Sequence, residues 1–293
     1  MQGYWDDLFD AERRKIEATG KRVAWVDLVD LLQEQEKYPM SIAREIVDDY
    51  CGRYSLKLRQ PKKPSVPIFL TLFILWELRY CRAPFSLFAV HHLAASTPHS
   101  NLLIFGKYCW ALLLSVLLIQ EVRTGSFKEA RTVACQVTPG IVLQNIVVLA
   151  VTAAVALLLA LFCPFLNCSW LYKLPGYSGP GFNIAIAPFT IKYLGLPFAI
   201  LLAVNVPRAA RSEEISYRRG TQNWKVGRWR SLHFGLLHCL MGIPIYAGLA
   251  LSVGGLWYTH QYLKGGISRS TLHHSTYNWI GLTILSTILF VRL

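Results

Sequence analysis

The sequence predicts an all-α fold: a multi-pass membrane helix bundle of about six to eight spans with a small helical N-terminal extension. Three observations predict it. Hydrophobic residues make up 53% of the 293 and charged residues only 16%, against about 25% charged in a soluble domain. Long stretches carry no charge at all, the clearest running from Thr132 to Tyr172. The charge is also unevenly placed. Twelve acidic and twelve basic residues lie up to Pro64, and beyond it only Glu77, Glu121, Glu129, Glu213 and Glu214 face eighteen Lys and Arg. Basic residues that flank apolar runs mark the cytosolic face of a membrane. The formal charge of +13 therefore speaks for a bilayer surface and against nucleic acid.

Residues 1–64 read as a soluble cytosolic helical segment, an appendage lying on the membrane surface. Trp25 to Leu32 repeats its apolar residues at helical spacing. Pro39-Met-Ser41 breaks the pattern, and Ser41 is placed to cap a second short helix reaching about Asp49. Arg53, Lys57, Arg59, Lys62 and Lys63 then cluster before the first apolar run. That cluster puts the N-terminus on the cytosolic side of the cell membrane, and its polar, acidic start is unlike a secretory signal.

Residues 65–293 read as the membrane domain. Its clearest span has an apolar heart from Ile141 to Phe165. Leu102 to Gln120, Tyr193 to Pro207 with upstream residues, Pro244 to Leu263 and Thr276 to Val291 are further candidates. Ser65 to Trp76 and Ala83 to Ala94 are shorter and leave span or no span open, and Leu232 to Met241 reads as part of another helix. Leu174 to Asn183 is an uncharged, turn-rich loop. Arg208 to Arg230 is strongly basic and reads as a cytosolic loop. The seven cysteines are scattered and read as small buried side chains; Cys163 and Cys168 are the one pair close enough in sequence to bridge.

The residues that carry chemistry gather late, in a core of residues 208–293. They form three stretches: Glu213-Glu214-Ile-Ser-Tyr-Arg218, Phe234-Gly-Leu-Leu-His238 and His274-Ser-Thr-Tyr-Asn278. Residues four apart share a helix face, so Glu214 pairs with Arg218, Phe234 projects with His238, and His274 with Asn278. Glu213 points about 100° away from Glu214 and is left unpaired. An unpaired carboxylate at membrane depth costs at least about 2.5 kcal/mol, which makes it a functional candidate. A lone motif of this kind is ordinarily a helix ion pair or a polar residue facing another helix. His233, His260 and His273 read as structural or interfacial. His91 and His92 diverge on a helix, His99 belongs to a turn, and no His-Glu-x-x-His spacing occurs.

In that order, Glu-Glu-x-x-x-Arg, Phe-x-x-x-His and His-x-x-x-Asn resemble the three motifs of the CPBP family of intramembrane proteases, which includes the CAAX-prenyl-protease-like and bacteriocin-processing members. The resemblance covers roughly Ser212 to Leu293. It departs from the family pattern in Arg219, which stands where many members have Gly, and in the short link from Arg218 to Phe234. It implies hydrolysis of a peptide bond in a membrane-associated or lipidated peptide or protein, with no cofactor required. Glu213 would be the general base, working with His238 on a water. His274 and Asn278 would donate to the oxyanion, and Glu214, Arg218 and Phe234 would support them. A zinc ion at such a site would take Glu213, His238 and His274 as ligands, although Asn278 suits an oxyanion better than a metal. The rival readings are a catalytically inactive membrane scaffold or bacteriocin-immunity protein of the same fold, and a small transporter. The transporter is disfavoured because the polar groups cluster at one end of the chain and no paired broken helices mark an inverted repeat. Oligomeric state is not legible.

Overall fold

The computed structural model describes residues 2–56, 58, 115–116, 118–169 and 182–291, and these are helical throughout their regular parts. The expected spans Ser65–Trp76 and Ala83–Ala94 lie outside the described residues, and Leu102–Gln120 and the turn-rich Leu174–Asn183 lie mostly outside them.

Three helices open the chain: α1 (Gln2–Glu17), α2 (Trp25–Gln35) and α3 (Met40–Arg53). Their apolar faces meet in one core. Trp5 and Phe9, four apart on α1, pack with Trp25, Leu28, Val29 and Leu32 of α2 and with Met40, Ala43, Val47 and Tyr50 of α3. The Trp25 indole donates to Asp48 at 2.7 Å, joining α2 to α3. Ser41 does not cap α3. Pro39, with φ −60° and ψ 153°, is the N-cap, and the helix begins at Met40. The fixed φ of proline and its extended ψ set the start, so Ser41 already lies inside the first turn.

This unit is more than a surface appendage, because its core continues into the rest of the molecule. Tyr262 and Ile267 are buried in the same cluster. Gln33 donates to the Tyr262 carbonyl at 3.1 Å. Arg219 reaches Asp27 at 2.8 Å and Asp30 at 2.6 Å.

A π-helical turn, Val122–Ser126, leads into α4 (Phe127–Ala134). Helix α5 (Pro139–Phe162) follows, started by Pro139 at its first position and by the Thr138 hydroxyl, which accepts from the Ile141 amide. Among the described residues α5 is the one helix long and apolar enough to cross a membrane, with a mean hydropathy of 2.7. Its burial is inverted relative to a helix of a soluble protein. Asn145 and Thr152 are its buried residues, while Leu143, Leu157, Leu161 and Phe162 are exposed, Phe162 to 77%. Cys163 and Cys168, beyond its end, are not bridged to each other.

Helix α6 (Phe182–Tyr217) runs through much of the stretch expected as a basic loop. The helix persists because its cations find partners along it. Arg208 pairs with Glu121 at 2.9 Å and Arg218 pairs with Glu214 one turn back. Helix α7 (Trp224–Leu237) is capped by the Asn223 side chain, which accepts from Val226, and passes into a 3₁₀ turn, His238–Met241. Helix α8 (Ile245–Val291) is folded at Gly265 and Gly266, where the backbone leaves helical values. Gly266 has φ 72°, a left-handed value that glycine adopts without penalty. The fold brings residues 269–277 back against residues 257–261, where the Ser270 hydroxyl donates to the Tyr258 carbonyl at 2.9 Å and Tyr258 meets His274 and Tyr277.

Helices α7 and α8 touch backbone to backbone. Gly227, Ser231 and Gly235 are spaced by four on the buried face of α7. A Cβ on Gly235 would collide with the Gly248 carbonyl and with Ser252, and one on Gly227 with the Thr259 methyl. Small residues repeated at this spacing let helices approach until backbone meets backbone.

Candidate functional site

The close approach of α7 and α8, with α6 beside them, brings two of the three sequence motifs onto one carboxylate. Glu214, on the last turn of α6, has no exposed side-chain surface. Its Oε1 lies 2.8 Å from Nδ1 of His274 and 3.4 Å from Nη1 of Arg218, and its Oε2 accepts from the Ser270 hydroxyl. Each of these partners is itself buried. Charge neutralisation and hydrogen bonds together are what let a carboxylate stay buried.

Arg218 is caged by aromatic rings. Its guanidinium carbon lies 4.2 Å from the ring centre of Phe234, 5.5 Å from Tyr258 and 5.7 Å from Tyr217. Nη2 donates to the Gly255 carbonyl at 3.4 Å. Gly255 leaves room for it, since a Cβ there would come within 3.2 Å of Nη2. Phe234 thus faces a cation on one side and two imidazoles on the others, at 4.8 Å from His238 and 5.7 Å from His274. Tyr258 stacks on His274 at 4.3 Å and fixes its ring plane.

The orientation of His274 sets its chemistry. Nδ1 faces a carboxylate, which only accepts, so Nδ1 carries a proton. Nε2 is turned to Glu213, 3.6 Å from Oε2. That separation is too long for a direct hydrogen bond and suits a bridging water. Glu213 is 40% exposed, in contrast to its buried neighbour. In neutral His274 the lone pair of Nε2 points towards Glu213, so the residue expected as an oxyanion donor is arranged to accept a proton first. It donates from Nε2 only as an imidazolium. His238 is oriented in a similar way: its Nδ1 donates to the Phe234 carbonyl at 2.7 Å, which leaves Nε2 with the lone pair. Glu213 and His274 lie close enough to His238 to act on its charge.

Glu213, Glu214, Arg218, Phe234, His238 and His274 are therefore gathered in one place. Asn278 follows His274 by one helical turn and is half-buried. Among the described residues no hydrogen bond joins it to the others. Also among the described residues, no three His, Cys, Asp or Glu are grouped so as to hold a metal ion.

Ser270 and Tyr258 belong to the site and carry no motif. The signal for Ser270 was its place four residues before His274, on the same helix face. Of the remaining histidines, His273 meets the Asn145 amide of α5 at 3.1 Å, and His260 stacks on Trp224 at 5.8 Å. Both lie between helices, as expected from the sequence. His91, His92 and His99 lie outside the described residues.

Comparison with family profiles, with curated proteins and with solved structures gave no match to the chain.

Proposed function

We propose that the chain is a multi-pass integral membrane protein and an intramembrane endopeptidase of the CAAX-protease-like type, hydrolysing a peptide bond in a membrane-associated or lipidated substrate. The inverted burial of α5 and the glycine-mediated contact of α7 with α8 support the membrane reading, because lipid receives leucines and helices in lipid pack through small residues. The peptidase reading rests above all on one observation: His274 is held by buried Glu214 on one nitrogen and turned to half-exposed Glu213 on the other.

In this mechanism a water sits between Glu213 and His274, with His238 beside it. Glu213 takes a proton from the water as its oxygen attacks the carbonyl carbon, and the tetrahedral oxyanion forms. Glu214 is a positioning residue: it fixes the tautomer of His274 and stabilises the imidazolium when that forms. Asn278 supplies an amide donor to the oxyanion; His274 is a second donor when it enters the reaction already protonated from solvent at Nε2, and it takes no proton from the attacking water. The proton on Glu213 then passes to the leaving amine, the C–N bond breaks, and the carboxylate is restored. Water activation by a carboxylate and an imidazole needs no metal in this scheme.

The test is comparative membrane proteomics of cells carrying the wild-type chain or Glu213→Ala. The expected result is an uncut precursor, or a longer peptide terminus, that accumulates in the variant. Identical proteomes, with the variant still present in the membrane, would favour the inactive-scaffold reading instead.

A further inference from the structure

Helix α7 has two faces of opposite character. Gly227, Ser231, Phe234 and Gly235 are buried against α8. On the other face Lys225, Arg228, Trp229 and Leu232 follow the i, i+3, i+4, i+7 spacing and line a shallow groove of about 580 Å³. Lys225 and Arg228 are exposed, and Trp229 is 55% exposed. Among the described residues neither cation has an ion-pair partner. Local carboxylates cannot supply one, because no acidic residue follows Glu214 in the sequence. The groove thus presents two exposed cations, a large indole and an aliphatic side chain, in that order along the helix.

From these features we propose that the groove on α7 binds the headgroup of an anionic phospholipid. Lys225 and Arg228 meet the phosphate, Trp229 lies at the level of the glycerol backbone, and Leu232 meets the first part of an acyl chain. The dimensions agree. Seven residues of helix rise about 10 Å, a little more than the headgroup layer on one side of a bilayer. The N-terminal end of the helix dipole adds positive potential at the cation end. Tryptophan favours this depth because its body is apolar and its N–H is polar. The inference rests on the membrane reading above and is independent of peptidase activity.

The purified full chain in neutral detergent tests it by thermal unfolding. Added phosphatidylglycerol should raise the midpoint by several degrees, while phosphatidylcholine and free glycerol phosphate should leave it unmoved. Lys225→Gln with Arg228→Gln should lose more than half of that rise, and Arg123→Gln with Lys128→Gln, on exposed cations that do not line the groove, should keep it. An unchanged rise in the first pair, an equal loss in the second, or an equal rise from phosphatidylcholine, glycerol phosphate or a single-stranded oligonucleotide would overturn the proposal. Brominated phosphatidylglycerol gives a reading that leaves both cations in place: it should quench the wild-type chain more than Trp229→Phe. Equal quenching would count against the site even if the charge variants failed to fold.

Discussion

His274 and Glu214 meet at 2.8 Å across a contact buried on both sides, although 60 residues separate them in the chain. The contact ties the end of α6 to the folded-back limb of α8, and it orients the imidazole that faces Glu213. A carboxylate, an imidazole and a second carboxylate in that sequence define two kinds of residue. One holds the geometry and one faces the substrate, and substitution separates them.

Glu214→Gln is expected to damage both fold and rate. It leaves Arg218 buried without its counter-charge, and breaking a buried pair from one side costs about 3–5 kcal/mol. Where the protein survives, the rate should fall by roughly 10³–10⁴-fold, because a neutral amide supports the imidazolium poorly. Thermal unfolding in detergent and a peptide-release assay measure the two effects. A stable Glu214→Gln protein with normal activity would remove Glu214 from the mechanism.

Glu213→Gln should give the contrasting result. The side chain is 40% exposed, and the nearest partner, His274 Nε2, stands 3.6 Å away. Its loss should therefore change stability by no more than about 0.5 kcal/mol. Peptide release should nonetheless fall by at least about 10²-fold, the usual contribution of a general base. Stripping the protein with a chelator should leave wild-type activity nearly intact. Activity lost on stripping and restored by stoichiometric zinc would instead make Glu213, His238 and His274 metal ligands.

The contrast between the two glutamates was partly legible in the sequence. The spacing of four residues sets Glu214 beside Arg218 and turns Glu213 away. It says nothing about Glu214 and His274, whose contact depends on a helix reversing at Gly265 and Gly266. Ser270 and Tyr258 were hidden for the same reason, since what brings them to the site is tertiary packing. The helix start at Met40 shows a local rule losing to another local rule: proline at the N-cap overrode a serine two residues later. The basic stretch from Arg208 has the charge of a cytosolic loop. Yet Glu121 and Glu129, respectively 87 and 82 residues upstream of their partners, are positioned to pair with Arg208 and Arg211 and let helix continue. The contact of α7 with α8 has a faint sequence signal, the spacing of four between Gly227, Ser231 and Gly235, which carry neither charge nor ring.

That contact gives a sharp prediction. Gly235→Ala should cost more than about 2 kcal/mol or prevent folding, because the added methyl has no space against the Gly248 carbonyl and Ser252. Gly281→Ala, whose Cβ would meet nothing within 4 Å, should instead stabilise by roughly 0.5–1 kcal/mol. Unfolding midpoints of the two variants in one detergent decide it. If the two glycines responded alike, the close approach of α7 and α8 would be wrong.

The Asn145–His273 bridge should be worth little by itself. Asn145→Leu removes the polar link between α5 and α8 and is expected to cost only about 0.6 kcal/mol, the usual worth of a hydrogen bond between helices in lipid. A loss of several kcal/mol would mean that α5 is held to the bundle by this contact rather than by its packing.

The last prediction concerns the joint between the N-terminal helices and the site. Arg219 follows Arg218 directly and pairs with Asp27 and Asp30 of α2. Burial pushes Asp30 up to about 6, against the opposing pull of the Arg219 guanidinium. A carboxyl whose folded value lies above its unfolded one takes up a proton on folding. Its favourable contribution is complete below about pH 4, the unfolded value, and is lost as pH rises through about 6. Wild type should therefore gain stability relative to Asp30→Asn as pH falls from 7.5 to 5. Arg219→Gln removes the group that favours the charged form, so the folded value should climb further. Its destabilisation should be greater at pH 7.5 than at pH 5. Unfolding midpoints at the two pH values, read as differences between variants, cancel the other carboxylates. If Arg219→Gln were equally harmful at both, the ion pair would be a surface contact, and the N-terminal unit would be held by Gln33, Tyr262 and the apolar core alone.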